Sequence, residues 1–179
     1  YPQIEGITLV DLDPAMTDLF ASAPALVALN QGALKSPKVR VVNADALQWL
    51  EASTESFDFV VVDFPDPANF ALGKLYTSAF YRLLQKHLTP RGLIVVQSTS
   101  PLYARRSFWT VVTTLEDVGL QVAPYHALVP SFGEWGYILA GAEAYRPPPG
   151  YPVSTRSLTP AVTTSLLQFP AAMPRPPPE

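Results

Sequence analysis

Two carboxylates follow an apolar run in the segment 57–67. Phe57–Val62 has the composition of a buried parallel strand, and Asp63 and Asp66 come directly after it, on a loop stiffened by prolines. Because ligands of open α/β sheets bind beyond the carboxyl ends of the strands, we expect both acids at the mouth of a crevice. Carboxylates held there suit a positively charged substrate, or an amine that must lose a proton.

Acids also follow the predicted strands that come earlier in the chain. Asp11 ends the strand Ile7–Val10, and Asp45 comes shortly after the strand Val39–Val42. A carboxylate in such a position can accept both hydroxyl groups of a ribose, or it can cap the helix that follows. Asp13 directly precedes a proline and is the better cap, so we assign Asp11 to a ribose. For Asp45, a bond to an adenine amino group and helix capping are equally compatible with the residues alone.

The elements that carry these acids alternate between strand and helix. The predicted strands lie at Ile7–Val10, Val39–Val42, Phe57–Val62, Leu93–Val96, Val122–Val129 and Trp135–Ala140. The predicted helices cover residues 14–30 with a break near 23–24, a short segment through 49–50, residues 76–87 and residues 100–118. This order predicts a doubly wound α/β fold whose last two strands form an antiparallel edge. The sequence has no glycine-rich turn after the first strand and therefore does not support a phosphate-binding loop there.

The composition narrows the class of function. Charged residues make up 15% of the chain, against about 25% in ordinary globular chains, which suggests that part of the surface is covered in the intact assembly. A net charge of −3 argues against a nucleic-acid partner. The absence of cysteine and the presence of only two histidines argue against a zinc site. No apolar run of the sequence reaches the roughly 18 residues of a membrane span.

The acids at successive strand ends resemble those of the spermidine synthase (polyamine aminopropyltransferase) family. The motifs that carry the resemblance are Val10–Asp13, Asn43–Ala46, Val62–Pro67, Leu75–Tyr81, Gln97–Pro101 and Ser131–Gly136. The likeness extends over residues 5–142 and is greatest to the bacterial branch in which the synthase domain follows membrane helices. It implies a Rossmann-like sheet of the S-adenosylmethionine-methyltransferase type in residues 1–145. The tail of residues 146–179 lies outside the resemblance, and its proline-rich composition predicts a flexible segment.

The resemblance also implies roles for the acids. Asp63 would be the catalytic acid–base residue, which holds the attacking amine and helps to remove its proton. An alkylamine has a pKa of about 10.4, so at neutral pH it is protonated and cannot attack until that proton is lost. Asp66 would bind the amine or the far ammonium group of a diamine. The donor nucleoside would be bound by Asp11, Asp45 and Ala46.

Four further residues are candidates for binding the amine, namely Tyr76, Gln97, Glu134 and Trp135. Aromatic faces and carboxylates both favour a cation. Each candidate also has a purely structural alternative. Tyr76 can pack on the core at the start of a helix, and Gln97 can bond to the neighbouring loop. Glu134 and Trp135 can belong to a hairpin turn with a packed tryptophan.

The reaction implied by the resemblance is aminopropyl transfer from decarboxylated S-adenosylmethionine to an amine such as putrescine. Its products are spermidine and methylthioadenosine, and it requires no metal or further cofactor. A methyltransferase that uses S-adenosylmethionine itself is the first alternative, although clustered acids would repel the carboxylate of that donor. A non-catalytic remnant of the synthase fold is the second. The resemblance also implies a homodimer and a cytoplasmic location, at the inner-membrane face if the parent protein is membrane-tethered.

The start of the chain bears on activity. The first strand of the family, with its glycine-rich acidic turn, and a small N-terminal β-domain are expected upstream of Tyr1. In this fold that strand lies centrally, between the strands that end at Asp11 and Asp63. The chain therefore resembles the interior of a longer polypeptide, and we expect the 179 residues alone to be inactive or barely active.

Overall fold

The computed structural model describes residues 1–67 and 70–177. The chain forms two compact units, one of residues 1–53 and one from residue 54 onward. The first unit contains β1 (Ile7–Asp11), α1 (Pro14–Ser22), α2 (Pro24–Leu29), β2 (Val39–Asn43) and α3 (Ala46–Ala52). The second contains β3 (Phe57–Val62), α4 (Phe70–Gly73), α5 (Ser78–Lys86), β4 (Leu88–Ser98), α6 (Arg105–Asp117), β5 (Gln121–Val129), β6 (Gly133–Gly141) and α7 (Pro160–Leu166).

In the first unit, β1 and β2 pair in parallel, from Ile7 opposite Val39 to Asp11 opposite Asn43. The predicted break in the first helix is confirmed. Ala23 adopts an extended conformation between α1 and α2, because a residue that precedes a proline is disfavoured in the helical region.

The second unit is a mixed sheet with the strand order β3-β4-β6-β5. β3 and β4 are parallel, whereas β6 runs antiparallel to both β4 and β5. This arrangement confirms the predicted α/β fold with an antiparallel edge. Alternate side chains of the sheet point to opposite faces. One face of the sheet packs against α5 and α6 to form the core. The buried residues of this core include Val62, Ile94, Val96 and Ile138 from the strands and Phe80, Leu84, Phe108, Val112 and Leu115 from the helices.

The largest differences from the predicted starts are those of β4 and α6. β4 starts at Leu88 rather than Leu93, because a bulge absorbs the expected turn at 90–92 and pairing moves from Leu88 to Leu93. α6 starts at Arg105, since the Ser100 hydroxyl accepts from two backbone N–H groups of the preceding turn. α6 ends as predicted, because Gly119 follows it at a positive φ of 87°.

The proline-rich tail contains a helix that the sequence did not predict. α7 begins at Pro160, and the Thr159 side chain accepts a hydrogen bond from the Val162 backbone N–H. The boundary at residue 146 and the flexibility of the tail stay predictions. Within the described part of the chain, no helix combines the length and apolarity needed to cross a bilayer.

Candidate active site

The candidate amine site lies in the second unit, on the face of the sheet opposite the helices. Val62 pairs with Val96, so Asp63 and Gln97 follow side by side at the carboxyl ends of two parallel strands. Tyr137 pairs with Gln97 across β4 and β6, and Tyr125 pairs with Tyr137. Together with neighbouring side chains they border an open cavity of about 650 Å³. Its lining consists of Val61, Asp63, Pro65, Asp66, Val95, Gln97, Tyr125, Val129, Phe132, Trp135 and Tyr137.

The two acids of the cavity differ in their surroundings. Asp63 is exposed. Asp66 is half-buried, and its Oδ1 is inaccessible to solvent and has no hydrogen-bond partner among the described residues. A buried carboxylate oxygen without a donor is costly, because it has lost its hydration and gained nothing in return. The unmet acceptor, together with the place of Asp66 in the cavity lining, makes this carboxylate a candidate for binding a ligand that carries N–H groups.

The backbone of the loop between the acids accepts hydrogen bonds from two side chains that were predicted to bind the amine. The Phe64 carbonyl accepts a hydrogen bond from the Tyr76 hydroxyl at 3.0 Å, and that hydroxyl also donates to the Pro65 carbonyl at 3.2 Å. The Gln97 amide, in the orientation that satisfies both neighbours, donates to the Phe64 carbonyl at 2.9 Å and accepts from the Trp135 indole N–H at 2.6 Å. Tyr76 and Gln97 thus take the structural alternatives stated above, core packing and loop bonding.

Burial and the charges of the acids raise the pKa of two tyrosine hydroxyls. Burial, followed by the charges of Asp66 and Asp63, raises the pKa of Tyr76 to about 12. Burial, followed by the charge of Asp63, also raises the pKa of Tyr137. Both hydroxyls therefore remain protonated at neutral pH and available as donors.

An aromatic wall faces the acids, and sequence reasoning missed most of it. The rings of Tyr125 and Tyr137 stack at 5.1 Å with an interplanar angle of 17°. Phe132 lies 5.5 Å from Trp135, the only member of the wall that was predicted. Period-two spacing places Tyr137 on the same face as Trp135 and so provides a signal within β6. Tyr125 belongs to the wall because it pairs with Tyr137, and the register of β5 against β6 cannot be predicted from a local sequence pattern.

Glu134, which was predicted to bind the amine, is not among the residues that line the cavity. Adjacent residues of a strand point to opposite faces, so Glu134 points away from the cavity that Trp135 borders. Its carboxylate instead forms an ion pair with the Nδ1 of His126. His126 is thus a partnered residue of the edge strand β5.

In the first unit, Asp11 and Asp13 form consecutive turns. The Asp11 Oδ1 accepts from the Asp13 backbone N–H at 2.8 Å, and the Asp13 Oδ1 accepts from the Ala15 backbone N–H at 2.9 Å. The second bond confirms Asp13 as the cap of α1. The ribose role of Asp11 stays a prediction.

Asp45 caps the next helix. Its Oδ1 accepts from the backbone N–H groups of Leu47 at 3.0 Å and Gln48 at 3.2 Å, and Ala46 is the first residue of α3. Capping, one of the two alternatives for this acid, is therefore observed, and the adenine role of Asp45 and Ala46 stays a prediction. Among the described residues, no group of three or more histidine, aspartate or glutamate side chains is placed to hold a metal ion.

Comparison with known sequences identifies close relatives of the chain. A family profile described as "Spermine/spermidine synthase domain" matches residues 1–147. Polyamine aminopropyltransferase 2 of Ralstonia nicotianae is 57% identical over 178 residues, which cover 98% of this chain and 35% of that protein. The polyamine aminopropyltransferase of Leptospira interrogans is 44% identical over 179 residues, 100% of this chain and 36% of that protein. The chain thus spans about a third of the length of these relatives.

Solved structures share the fold at lower sequence identity. A spermidine synthase in complex with the transition-state analogue AdoDATO superposes with a TM-score of 0.80 at 18% identity, over 95% of this chain and 60% of that one. The spermidine synthase of Thermotoga maritima gives a TM-score of 0.78 at 18% identity, over 93% and 58% of the two chains. These likenesses show a Rossmann-like fold of the methyltransferase type.

Proposed function

This chain belongs to the spermine/spermidine synthase family, and we propose that the protein containing it is a polyamine aminopropyltransferase. In this proposal an amine such as putrescine receives the aminopropyl group of decarboxylated S-adenosylmethionine. The products are spermidine and methylthioadenosine. No metal is required, because a sulfonium is already a good leaving group.

The unpartnered oxygen of Asp66 carries the proposal. Asp66 lines the same cavity as Asp63, and aromatic side chains line it as well. An ammonium group supplies both the positive charge and the N–H donors that such a carboxylate lacks. The rings add a face that attracts cations and an apolar surface for a methylene chain. A small aliphatic amine therefore fits the chemistry of this cavity.

The proposed mechanism assigns the proton transfer to Asp63. A bound amine is protonated at neutral pH, and Asp63 orients it and accepts one proton. The freed nitrogen lone pair then attacks the methylene carbon next to sulfur. The new C–N bond forms as the C–S bond breaks, and the electron pair of that bond leaves with sulfur as a neutral thioether. Binding contributes proximity and in-line orientation, and the acids stabilise the positive charge.

Donor binding is assigned to the first unit on the strength of the family. Asp11 is proposed to accept the ribose hydroxyls, and Asp45 and Ala46 to contact the adenine. Ordinary S-adenosylmethionine carries a carboxylate that Asp63 and Asp66 would repel, whereas the decarboxylated donor lacks it. Calorimetry with decarboxylated and ordinary S-adenosylmethionine tests this point. Tighter binding of the carboxylated donor would favour a methyltransferase instead. A homodimer and a cytoplasmic location remain part of the proposal.

Substitution of Asp63 provides the test of the reaction. We expect Asp63→Asn in the complete encoded protein to lower kcat for methylthioadenosine formation by about 10²- to 10⁴-fold, since asparagine cannot accept the proton. Asp58→Asn is the matched control, because Asp58 is an exposed acid on the strand that Asp63 follows, and its carboxylate accepts a hydrogen bond from the Thr89 hydroxyl at 2.9 Å. Equal activity of the Asp63→Asn variant and the parent protein would refute the role of Asp63.

A further inference from the structure

Residues 168–175, here called the C-terminal strap, lie against α6 and β5 on the face of the sheet opposite the cavity. The ring of Phe169 contacts three others, at centroid distances of 5.8 Å to Phe108, 5.1 Å to Trp109 and 4.9 Å to His126. Aromatic rings at such distances attract one another beyond the area they bury. Phe169 therefore anchors the start of the strap to both elements.

The far end of the strap is fixed by charge as well as by packing. Arg175 forms a bidentate pair with Glu116, at 2.8 and 2.5 Å, and donates to the Thr113 hydroxyl at 2.9 Å. Its guanidinium lies 5.8 Å from the centre of the Trp109 ring. Met173 is only 4% exposed, and its carbonyl accepts from the Trp109 indole N–H at 3.4 Å. Two parallel hydrogen bonds fix the orientation of the guanidinium relative to the carboxylate, whereas a single ionic contact leaves that orientation free.

His126 joins the strap to the strand that borders the cavity. Its Nε2 lies 2.8 Å from the Gln168 carbonyl, and its Nδ1 contacts the Glu134 carboxylate. The ring is therefore held between the backbone of the strap and the carboxylate of Glu134. Movement of the strap would therefore be transmitted to Glu134.

Glu134 is the immediate neighbour of Trp135, on the opposite face of β6. The Trp135 indole bonds to Gln97, and Gln97 bonds to the Phe64 carbonyl between the acids. We propose that His126 is a positioning residue. It links the C-terminal strap to β6 and thereby holds Trp135 in place at the candidate amine site. The kinetic part of this inference rests on the proposed function, whereas its structural part does not.

The test compares Glu134→Ala with Glu134→Gln in the complete encoded protein. Glutamine keeps an oxygen acceptor for the Nδ1 proton, whereas alanine removes it. We expect Glu134→Ala to raise the KM for the amine about fivefold, the equivalent of one hydrogen bond, with kcat and the KM for the donor little changed. Glu134→Gln should restore most of the amine KM. Glu143→Ala is the matched control, because Glu143 is exposed just beyond β6.

A spectroscopic readout separates the coupling from the reaction. Labelling with 5-fluorotryptophan gives one fluorine resonance for each tryptophan of this chain, Trp49, Trp109 and Trp135. In the absence of substrates, Glu134→Ala and Phe169→Ala should both shift the Trp135 resonance and leave that of Trp49 in place. A chain truncated after Leu167 should do the same, and the point variants keep the test valid if truncation prevents folding.

An unchanged Trp135 resonance in both point variants would overturn the inference, and so would an unchanged KM for the amine in an active enzyme. If the resonance shifts but the parent protein transfers no aminopropyl group, the coupling stands and the proposed function fails. If activity is present but the resonance stays in place, the proposed function stands and the coupling fails.

Discussion

At the scale of single residues, the site depends on how one backbone oxygen is held. The Phe64 carbonyl accepts from the Tyr76 hydroxyl and from the Gln97 amide. Because Phe64 directly follows Asp63, these two bonds restrict the backbone of the loop that presents both acids. Tyr76 and Gln97 were predicted beside the amine, and the structure places their polar groups on the loop itself. Their contribution is to hold the loop that carries the acids.

Removal of the Tyr76 hydroxyl tests this anchoring. We expect Tyr76→Phe to lower the free energy of unfolding by about 1 kcal/mol, since the loop carbonyls lose a donor while the ring is kept. Tyr103→Phe is the matched control, because Tyr103 is 82% exposed. Urea denaturation measures both variants. A Tyr76→Phe variant as stable as Tyr103→Phe would contradict the anchoring role.

The raised pKa of Tyr76, about 12, predicts a dependence of stability on alkaline pH. The folded-state pKa lies above the ordinary value of 10.0, so the stabilisation is fully present below pH 10 and is lost as the pH rises towards 12. The parent protein should therefore lose more stability than Tyr76→Phe over this interval, because phenylalanine does not titrate. Urea denaturation at several pH values measures the difference, and parallel curves would count against the raised pKa.

At the scale of elements, the sequence predicts where strands and helices lie better than which way their side chains point. The helix break before Pro24 and the helix end before Gly119 are local effects of backbone chemistry, and both are confirmed. The face of Glu134 was not predictable, because the predicted strand begins only at Trp135. In the structure β6 already begins at Gly133, through pairing with Val129 of β5. This pairing closes the hairpin between β5 and β6, so the start of β6 depends on the register of the two strands.

Close packing of β6 against α6 gives a prediction for Gly136. A Cβ at this position would lie 2.5 Å from the Phe108 ring and 2.7 Å from the Thr99 carbonyl oxygen. Since Phe108 is fully buried, it has little room to move. We expect Gly136→Ala to lower the free energy of unfolding by about 1 to 3 kcal/mol, measured by urea denaturation.

The control for Gly136 is Gly150→Ala, because a Cβ at Gly150 would meet no atom within 4 Å. This variant should be as stable as the parent protein. Equal stability of the two alanine variants would show that β6 and α6 can separate at no cost, contrary to the close approach described above.

At the scale of the whole molecule, the second unit carries an apolar edge strand. β3 stands at one end of the strand order of its sheet, and Phe59 and Val61 are 54% and 63% exposed. Exposed apolar edge strands are templates for association with other chains. We therefore expect the 179-residue chain, expressed on its own, to self-associate with rising concentration.

Sedimentation velocity tests this expectation. Phe59→Lys should weaken self-association, because a lysine on an edge strand opposes pairing with another chain. Phe70→Lys is the matched control, since Phe70 is 94% exposed but belongs to α4 rather than to the sheet. A chain that is monomeric at all concentrations, or equal effects of both lysines, would contradict the role of β3.

The candidate site shows the same division between local and long-range information. Asp63 and Asp66 were predictable, because an acid directly after an apolar strand is a local pattern. Tyr125 and the C-terminal strap were not, because the first reaches the cavity through strand register and the second through contacts of Phe169 with distant rings. The roles of Asp45 and Ala46 came from family resemblance, and they stay predictions, as does the ribose role of Asp11.

The buried oxygen of Asp66 has a practical consequence for any measurement on this protein. Binding to such a carboxylate depends more on the positive charge and N–H groups of the ligand than on the length of its carbon chain. Buffers built on primary ammonium ions, Tris among them, carry both features and would compete for the same place. Apparent affinities for putrescine should accordingly be higher in phosphate than in Tris of equal ionic strength.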